Sequence, residues 1–143
     1  MNMRDSKLKK SFSQTIKSFR QILPIILGVV MLVSLSISLI PKSFYTKIFT
    51  GNNIIDPLLG SVIGSISAGN PIISYILGGE LLEQGVSLIA VTAFILSWVT
   101  VGLIQLPAES LMLGKKFAVT RNVISFISSL IIAFLTVFTL SFI

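Results

Sequence analysis

An apolar run from residue 54 to residue 82 is interrupted at its middle by Ser67-Ala68-Gly69-Asn70-Pro71. As a helix, residues 54–67 rise only about 21 Å, so neither half of the run crosses a hydrocarbon core of roughly 30 Å by itself. A helix break at membrane depth frees backbone N–H and C=O groups, and it is tolerated only inside protein or beside a wet cavity. The run therefore predicts either one broken span or a re-entrant helical hairpin.

Composition indicates that this run belongs to an integral membrane protein. The 143 residues are 53% hydrophobic and 11% charged, with a mean hydropathy of +0.96, whereas soluble domains carry about 25% charged residues. Three further stretches, 22–40, 86–106 and 122–143, are long enough for transmembrane helices. We expect an all-α, multi-pass membrane protein with one domain, residues 1–143. It would contain three transmembrane helices and the broken or re-entrant segment at 54–82.

The N-terminal residues 1–21 carry apolar side chains at helical spacing among lysines and serines: Leu8, Phe12, Ile16 and Phe19. This pattern predicts an amphipathic helix that lies on the membrane surface. The alternative is a helical extension of the first span into the cytoplasm. The stretch 22–40 ends without a small-x-small cleavage site, so we predict a retained anchor rather than a signal peptide.

The distribution of basic residues favours the hairpin. Of the 11 Lys and Arg residues, six precede residue 22, Lys42 and Lys47 follow the first span, and three lie at 115–121. With a hairpin, the first and last groups lie on the same face of the membrane, which then carries nine Lys and Arg residues against two on the other face. With a full crossing, the two faces carry six and five. Because cytoplasmic loops carry the excess of Lys and Arg, we predict a hairpin and a cytoplasmic N-terminus in a cell membrane. Basic clusters beside apolar spans meet anionic headgroups, so we expect a lipid bilayer, and no nucleic acid, as partner.

The residues at the break predict a substrate site. Gly69 can end one helix, Asn70 can cap the next, and Pro71 suits its first position. The unpaired N–H groups and the dipole of a helix N-terminus favour an anion or a carbonyl oxygen near Asn70, Ile72 and Ile73. The alternative is that Asn70 only caps a structural kink.

Hydroxyl and amide side chains near the break extend the predicted substrate path. Its residues are Ser65, Ser67, Gly69, Asn70, Pro71, Ser74 and Gln105. Small residues also recur at four-residue spacing on two adjacent lines of the first half, Gly60, Gly64 and Ala68 on one and Ser61, Ser65 and Gly69 on the other. This stripe predicts close helix packing, and its hydroxyls can line the path along part of it.

Two missing residue types limit the metals that the chain can bind and the reactions that it can catalyse. The chain has no cysteine and no histidine, which removes the commonest metal ligands and the commonest proton carrier at neutral pH. We therefore predict no metal site, no cofactor and no enzyme active site. Glu80, Glu83 and Glu109 are candidates for proton coupling. For Glu109, an interfacial ion pair with Lys115 or Lys116 is an equal alternative.

The run from Gly64 to Leu82, with Ala93-Phe94 and Leu106-Pro107-Ala108-Glu109, resembles half-length members of a predicted permease family that includes organoarsenical efflux permeases. The resemblance covers roughly residues 55–135. Its most specific points are Gly69-Asn70-Pro71 and Gly78-Gly79-Glu80. The latter residues and Gln84-Gly85 are predicted to form a turn before the span at 86–106. The resemblance implies a transporter half whose broken segment contributes to the translocation path.

Some relatives carry cysteines where this chain has Ile72, Ile73 and Ser74. Hard anions, oxyanions or a neutral organic solute therefore fit this chain better than soft metals.

Three spans and a hairpin place the two termini on opposite faces, so a second half would be inverted, as in many secondary transporters. One half is too small to enclose a path. We predict a half-size permease for a small solute or anion that acts as an oligomer, either a homodimer or a pair with a second permease half. The alternative is a non-transporting membrane assembly or scaffold subunit.

Overall fold

A computed structural model of the protein describes residues 3–39, 42–67 and 69–142. Its helices are α1 (Met3–Leu39), α2 (Lys42–Ile48), α3 (Ile55–Ile66), α4 (Pro71–Glu83), α5 (Leu88–Thr100), α6 (Leu106–Leu113) and α7 (Lys115–Leu140). The described residues contain no strand, so the predicted all-α class is confirmed. The chain divides into two compact units, Met1–Leu39 and Ile40–Ile143.

The first unit is the single helix α1, which has 37 residues. The predicted surface helix at 1–21 and the predicted span at 22–40 thus belong to one continuous helix. This agrees with the alternative in which the N-terminal residues extend the first span. Pro24 lies inside this helix, where its missing N–H removes one backbone hydrogen bond. The side chains of Phe12, Ile16 and Phe19 are exposed. Residues 40 and 41, where the first span was predicted to end, lie outside the described residues.

Within the described ranges, two helices are long and apolar enough to cross a membrane: the stretch Lys10–Leu32 of α1 and the helix α7. The predicted third span at 86–106 is divided instead, because residues 101–105 separate α5 from α6. The 13 residues of α5 rise about 20 Å, which is less than the roughly 30 Å of a hydrocarbon core. The predicted last span at 122–143 starts earlier, since α7 begins at Lys115.

The predicted helix break is present between α3 and α4. Helix α3 ends at Ile66, and α4 begins at Pro71 with Asn70 as its N-cap. Ala68 lies outside the described residues. The predicted turn at residues 78–80 is wrong, because α4 continues through these residues to Glu83. The predicted turn at Gln84 and Gly85 is confirmed, and Gly85 has a φ of +90°.

Helices α3 and α5 approach closely through glycines. A Cβ atom at Gly60 would overlap the carbonyl group of Ala90, and one at Gly64 would overlap the carbonyl group of Phe94. Both glycines and the neighbouring Ser61 are buried. The small-residue stripe therefore packs against another helix at these positions, as predicted. Because residue numbers rise together along the contact, α3 runs parallel to α5.

Helix α4 returns along α5 in the opposite direction. A Cβ atom at Gly78 would lie 2.6 Å from Ile95 Cδ1. Further along α4, Leu81 packs against Val86 and Val91 near the start of α5. The two halves of the broken segment therefore run in opposite directions along the same central helix.

Helix α7 packs antiparallel to α5 along another side. The hydroxyl oxygens of Ser97 and Ser129 lie 2.7 Å apart in a buried hydrogen bond. One turn away, the fully buried Ala93 and Ala133 belong to the same apolar cluster. Helix α5 is thus enclosed by α3, α4 and α7.

Asp56 lies in the first turn of α3 and binds the preceding link. Its fully buried carboxylate accepts the backbone N–H groups of Thr50 at 3.0 Å and of Gly51 at 2.8 Å. The capping interaction comes from Asn52, whose Oδ1 accepts the N–H of Ile54 at 2.9 Å. Asp56 therefore holds the α2–α3 link against the start of α3.

Two matched glycine substitutions test the close packing of α3 on α5. We expect Gly64→Ala to lower the free energy of unfolding by about 1–3 kcal/mol, because a well-packed interface has no room for an added methyl group. Gly79→Ala introduces the same group on α4, where no atom lies within 4 Å of the new Cβ. This control should be neutral or stabilising by about 0.5–1 kcal/mol, since alanine favours a helix over glycine. Unfolding in a denaturing detergent, followed by tryptophan fluorescence, measures both, and equal stabilities would contradict the close approach.

Candidate substrate site at two helix breaks

Two helix breaks lie side by side in the second unit. The first, at 67–70, separates α3 from α4, and the second, at 101–105, separates α5 from α6. They are close because a Cβ atom at Gly69 would lie 3.4 Å from Cζ2 of Trp98 in the last turn of α5. A cavity of about 180 Å³ is lined by residues from both breaks. Its polar side chains are Ser67, Trp98, Gln105 and Arg121.

The first break is stabilised by its own residues. The Ser67 hydroxyl donates to the carbonyl of Ile63 at 2.7 Å, which satisfies an acceptor at the end of α3. Gly69 has a φ of +152°, a conformation that side-chain-bearing residues rarely adopt. Asn70 Oδ1 accepts the N–H of Ile72 at 3.0 Å. The predicted N-cap is therefore confirmed.

The same cap uses the donors that were expected to bind a substrate. The N–H of Ile72 is bonded to the Asn70 side chain, and the N–H of Ile73 donates to the Asn70 carbonyl at 2.9 Å. Pro71 has no N–H to offer. The expectation of unpaired donors at Ile72 and Ile73 is therefore wrong, because the break satisfies them internally. Positive charge at this cavity comes from Arg121 instead.

The predicted path residues divide into two groups. Four of them line the cavity: Ser67, Gly69, Pro71 and Gln105. Ser65 and Ser74 are buried and donate within their own helices, Ser65 to the carbonyl of Val62 at 2.8 Å and Ser74 to that of Pro71 at 2.7 Å. Asn70 adjoins the cavity as the cap of α4. The structure thus brings together the residues at the two breaks and leaves Ser74 in helix packing, whereas Ser65 borders a neighbouring groove.

The second break is stabilised from another helix. The N–H of Gly102 donates to Oδ1 of Asn122 on α7 at 2.8 Å. The Asn122 amide nitrogen donates to the carbonyl of Ala118 at 2.9 Å and to Glu109 Oε2 at 3.4 Å. Asn122 is only 4% exposed, and sequence reasoning did not assign it a role. The signal that the sequence offered was an asparagine at the start of a long apolar run.

Glu109 is the predicted coupling residue that the fold brings beside the cavity. Its carboxylate pairs with the guanidinium of Arg121 rather than with Lys115 or Lys116, and the two side chains are 19% and 37% exposed, respectively. A second guanidinium nitrogen lies 3.4 Å from the carbonyl oxygen of Thr100. Arg121 was interpreted as part of a basic cluster that sets topology, and its role at the cavity was missed.

The other two predicted coupling residues lie away from this site. Glu80 and Glu83 belong to the distal part of α4, roughly 14 and 18 Å along the helix from Pro71. Neither lines the cavity at the breaks. Their positions give them no contact with the Arg121–Glu109 pair.

Trp98 lines the cavity, but its indole nitrogen is enclosed by protein. Its ring packs edge-to-face against Phe94, with the centroids 5.5 Å apart. The indole Nε1 is buried and has no hydrogen-bond partner in the part of the chain that the structure describes.

An apolar groove adjoins the polar cavity. Its volume is about 430 Å³, and it lies between α3, the second break and the first half of α7. The principal apolar residues that line it are Val62, Leu103, Leu106, Val123, Phe126 and Ile127. Val101 lines both the groove and the cavity.

Comparison of the chain with protein-family models, with curated proteins and with solved structures finds no match.

The role of Asn122 gives a stability prediction. Asn122→Ala leaves the Gly102 N–H without its acceptor, so we expect a loss of about 1–3 kcal/mol in the free energy of unfolding. The emission of Trp98 should also change, because the second break lies beside it. Thr136→Ala is the control, since the Thr136 hydroxyl bonds only the carbonyl of Ile132 in its own helix, at 2.8 Å. Chemical unfolding and emission spectra of both variants check this, and an unchanged Asn122→Ala protein would show that the amide does not hold the break.

Proposed function

We propose that this chain is one half of a membrane permease and that the cavity between the two helix breaks is its substrate site. The observation that carries the proposal is the meeting of two breaks, in helices packed side by side, at one cavity that Arg121 also lines. Transporters bind substrates at discontinuous helices of this kind. Irregular backbone at membrane depth is also tolerated where it lines a cavity.

Exposed apolar side chains support a membrane location. Large hydrophobic residues are exposed along both long helices, including Leu27 and Met31 on α1 and Ile124, Ile131 and Leu135 on α7. Soluble monomers rarely expose contiguous apolar patches of more than a few hundred Å². In a bilayer these side chains would contact lipid hydrocarbon rather than water, so their exposure would be expected. The protein would then be a multi-pass membrane protein in which α1 and α7 cross the bilayer.

In this arrangement α3 and α4 form a re-entrant hairpin. Their opposite directions along α5 place the first break level with the end of α5, where α7 also begins. Lys115, Lys116 and Arg121 lie at this end of α7, so the positive-inside rule puts the cavity on the cytoplasmic side. The hairpin would enter from the outer face, and the N-terminus would be cytoplasmic.

The cavity supplies the groups needed to bind a small anion or polar solute. Arg121 provides positive charge, the Gln105 amide can donate hydrogen bonds, and Ser67 offers a hydroxyl oxygen. Glu109 competes with an anionic substrate for Arg121. Substrate binding would therefore be coupled to the breaking of the Arg121–Glu109 ion pair. A movement of the hairpin against α5 would then open the site to the other face.

The permease half acts with a partner, because one short bundle does not enclose a path across a bilayer. The partner is either a second copy of the chain or a second permease half. The rival function is a non-transporting scaffold or assembly subunit. It is favoured by the fully used donors at the start of α4, which make Asn70 a structural cap.

Thiol labelling tests the site and the orientation, since the sequence has no cysteine. In inside-out vesicles, we expect a membrane-impermeant maleimide to label Ser67→Cys and Lys116→Cys. In intact cells, we expect the same reagent to label Glu83→Cys. Ile124→Cys, at an exposed apolar position on α7, is the lipid-facing control and should stay unlabelled. A Ser67→Cys protein that is silent from both faces would overturn the site. Labelling of Ser67→Cys from the outside would reverse the proposed orientation.

Flux measurements separate the permease from the scaffold. We expect purified protein in liposomes to accelerate the release of radiolabelled phosphate, and Arg121→Gln to reduce the rate by about tenfold or more, because charge-assisted hydrogen bonds are the strong ones. Glu109→Gln should retain flux, since the variant removes only the competing carboxylate. Arg20→Gln, on the separate helix α1, is the matched control and should leave the rate unchanged. If liposomes with and without protein release phosphate, chloride and glycerol equally, the scaffold function is favoured.

A further inference from the structure

We infer that the substrate is an amphipathic organic anion, with its charged group in the cavity at Arg121 and one apolar arm in the neighbouring groove. The inference rests on the proposed function, and it adds the chemical class of the substrate.

The first observation is that the two spaces adjoin. Val101 lines both, and the consecutive residues Arg121 and Asn122 line one each. The groove volume of about 430 Å³ falls within the range of small-molecule pockets, whereas the cavity of about 180 Å³ is smaller than that range. The cavity suits a compact charged group, and the rest of a larger ligand has room in the groove.

The second observation is the excess of donors in the cavity. The guanidinium of Arg121 has five N–H donors, and its contacts to Glu109 and to the Thr100 carbonyl leave further donors available. The side-chain amide of Gln105 also lines the cavity and carries two N–H donors. Both groups select a ligand end that carries acceptor oxygens and negative charge.

The third observation is the lack of free polar groups in the groove. Its two polar side chains are Ser65 and Asn122. The Ser65 hydroxyl is bonded to the carbonyl of Val62, and the Asn122 amide is bonded to Gly102 and Ala118. A polar ligand arm would lose its hydrogen bonds to water without replacement. The groove therefore selects an alkyl or aryl arm.

Trp98 is a built-in reporter for this site, because it is the one tryptophan in the sequence and it lines the cavity. The full chain in phosphatidylcholine nanodiscs is titrated with methylphosphonate, hexylphosphonate and hexanol, and its fluorescence is recorded. We expect saturable binding of both phosphonates. Each buried methylene contributes about fourfold to affinity, so the hexyl compound should bind at least about tenfold tighter than the methyl compound. Hexanol, which lacks the charged end, should give no saturable change.

Three variants test which part of the site binds the charged end of the ligand and which part binds its apolar arm. Arg121→Gln should abolish the binding of both phosphonates. Val123→Phe fills the groove, so it should weaken hexylphosphonate by about tenfold and leave methylphosphonate unchanged. Ile124→Phe adds the same group at the next position, which does not line the groove, and should change neither affinity.

The inference is overturned if the two phosphonates bind equally or if hexanol binds as tightly as hexylphosphonate. It is also overturned if phosphatidylglycerol in the disc produces the fluorescence change and blocks hexylphosphonate, because the groove would then be a lipid site. Methylphosphonate binding that depends on Arg121 but gains nothing from a longer chain would remove the inference and leave the proposed function standing. If neither phosphonate binds and liposomes release no phosphate, the proposed function fails as well.

Discussion

The close approach of α3 to α5 determines where the other parts of the second unit lie. Gly60 and Gly64 allow the backbone of α3 to rest directly on the carbonyl groups of α5. This contact fixes the axial position of α3, and the chain at 67–70 therefore ends beside Trp98. Helix α4 must then return along a different side of α5. With larger residues at the two glycines, the helices would separate and the two breaks would no longer share a cavity.

The two breaks satisfy their backbone groups in different ways. At the first break, Asn70 caps the next helix from within the same segment. At the second, Asn122 reaches from α7 to the N–H of Gly102. The first break therefore depends on local sequence, and the second depends on the packing of α7 against α5. This difference makes the second break the part of the site that responds most directly to movement of α7.

The same difference explains why the first break could be predicted from the sequence and the second could not. The first break was predicted because Gly69, Asn70 and Pro71 are consecutive and encode a helix end and a helix start. The second was not, because its acceptor lies 20 residues away and the local sequence is apolar enough to continue a span. The glycine stripe indicated close packing, but nothing in the sequence identified α5 as the partner. The pairing of Glu109 with Arg121 was missed for a related reason, since Lys115 and Lys116 are nearer in sequence.

The enclosure of α5 has a consequence for biosynthesis. The ribosome releases α3 and α4 before α5, yet each is too short to cross a bilayer and both lie against α5 in the finished fold. If the protein inserts in the proposed orientation, the surface of α3 at Gly60 and Gly64 has no helix to pack against until α5 emerges. We therefore expect the insertion machinery to hold α3 and α4 until α5 is available and to release the three helices into lipid as one unit.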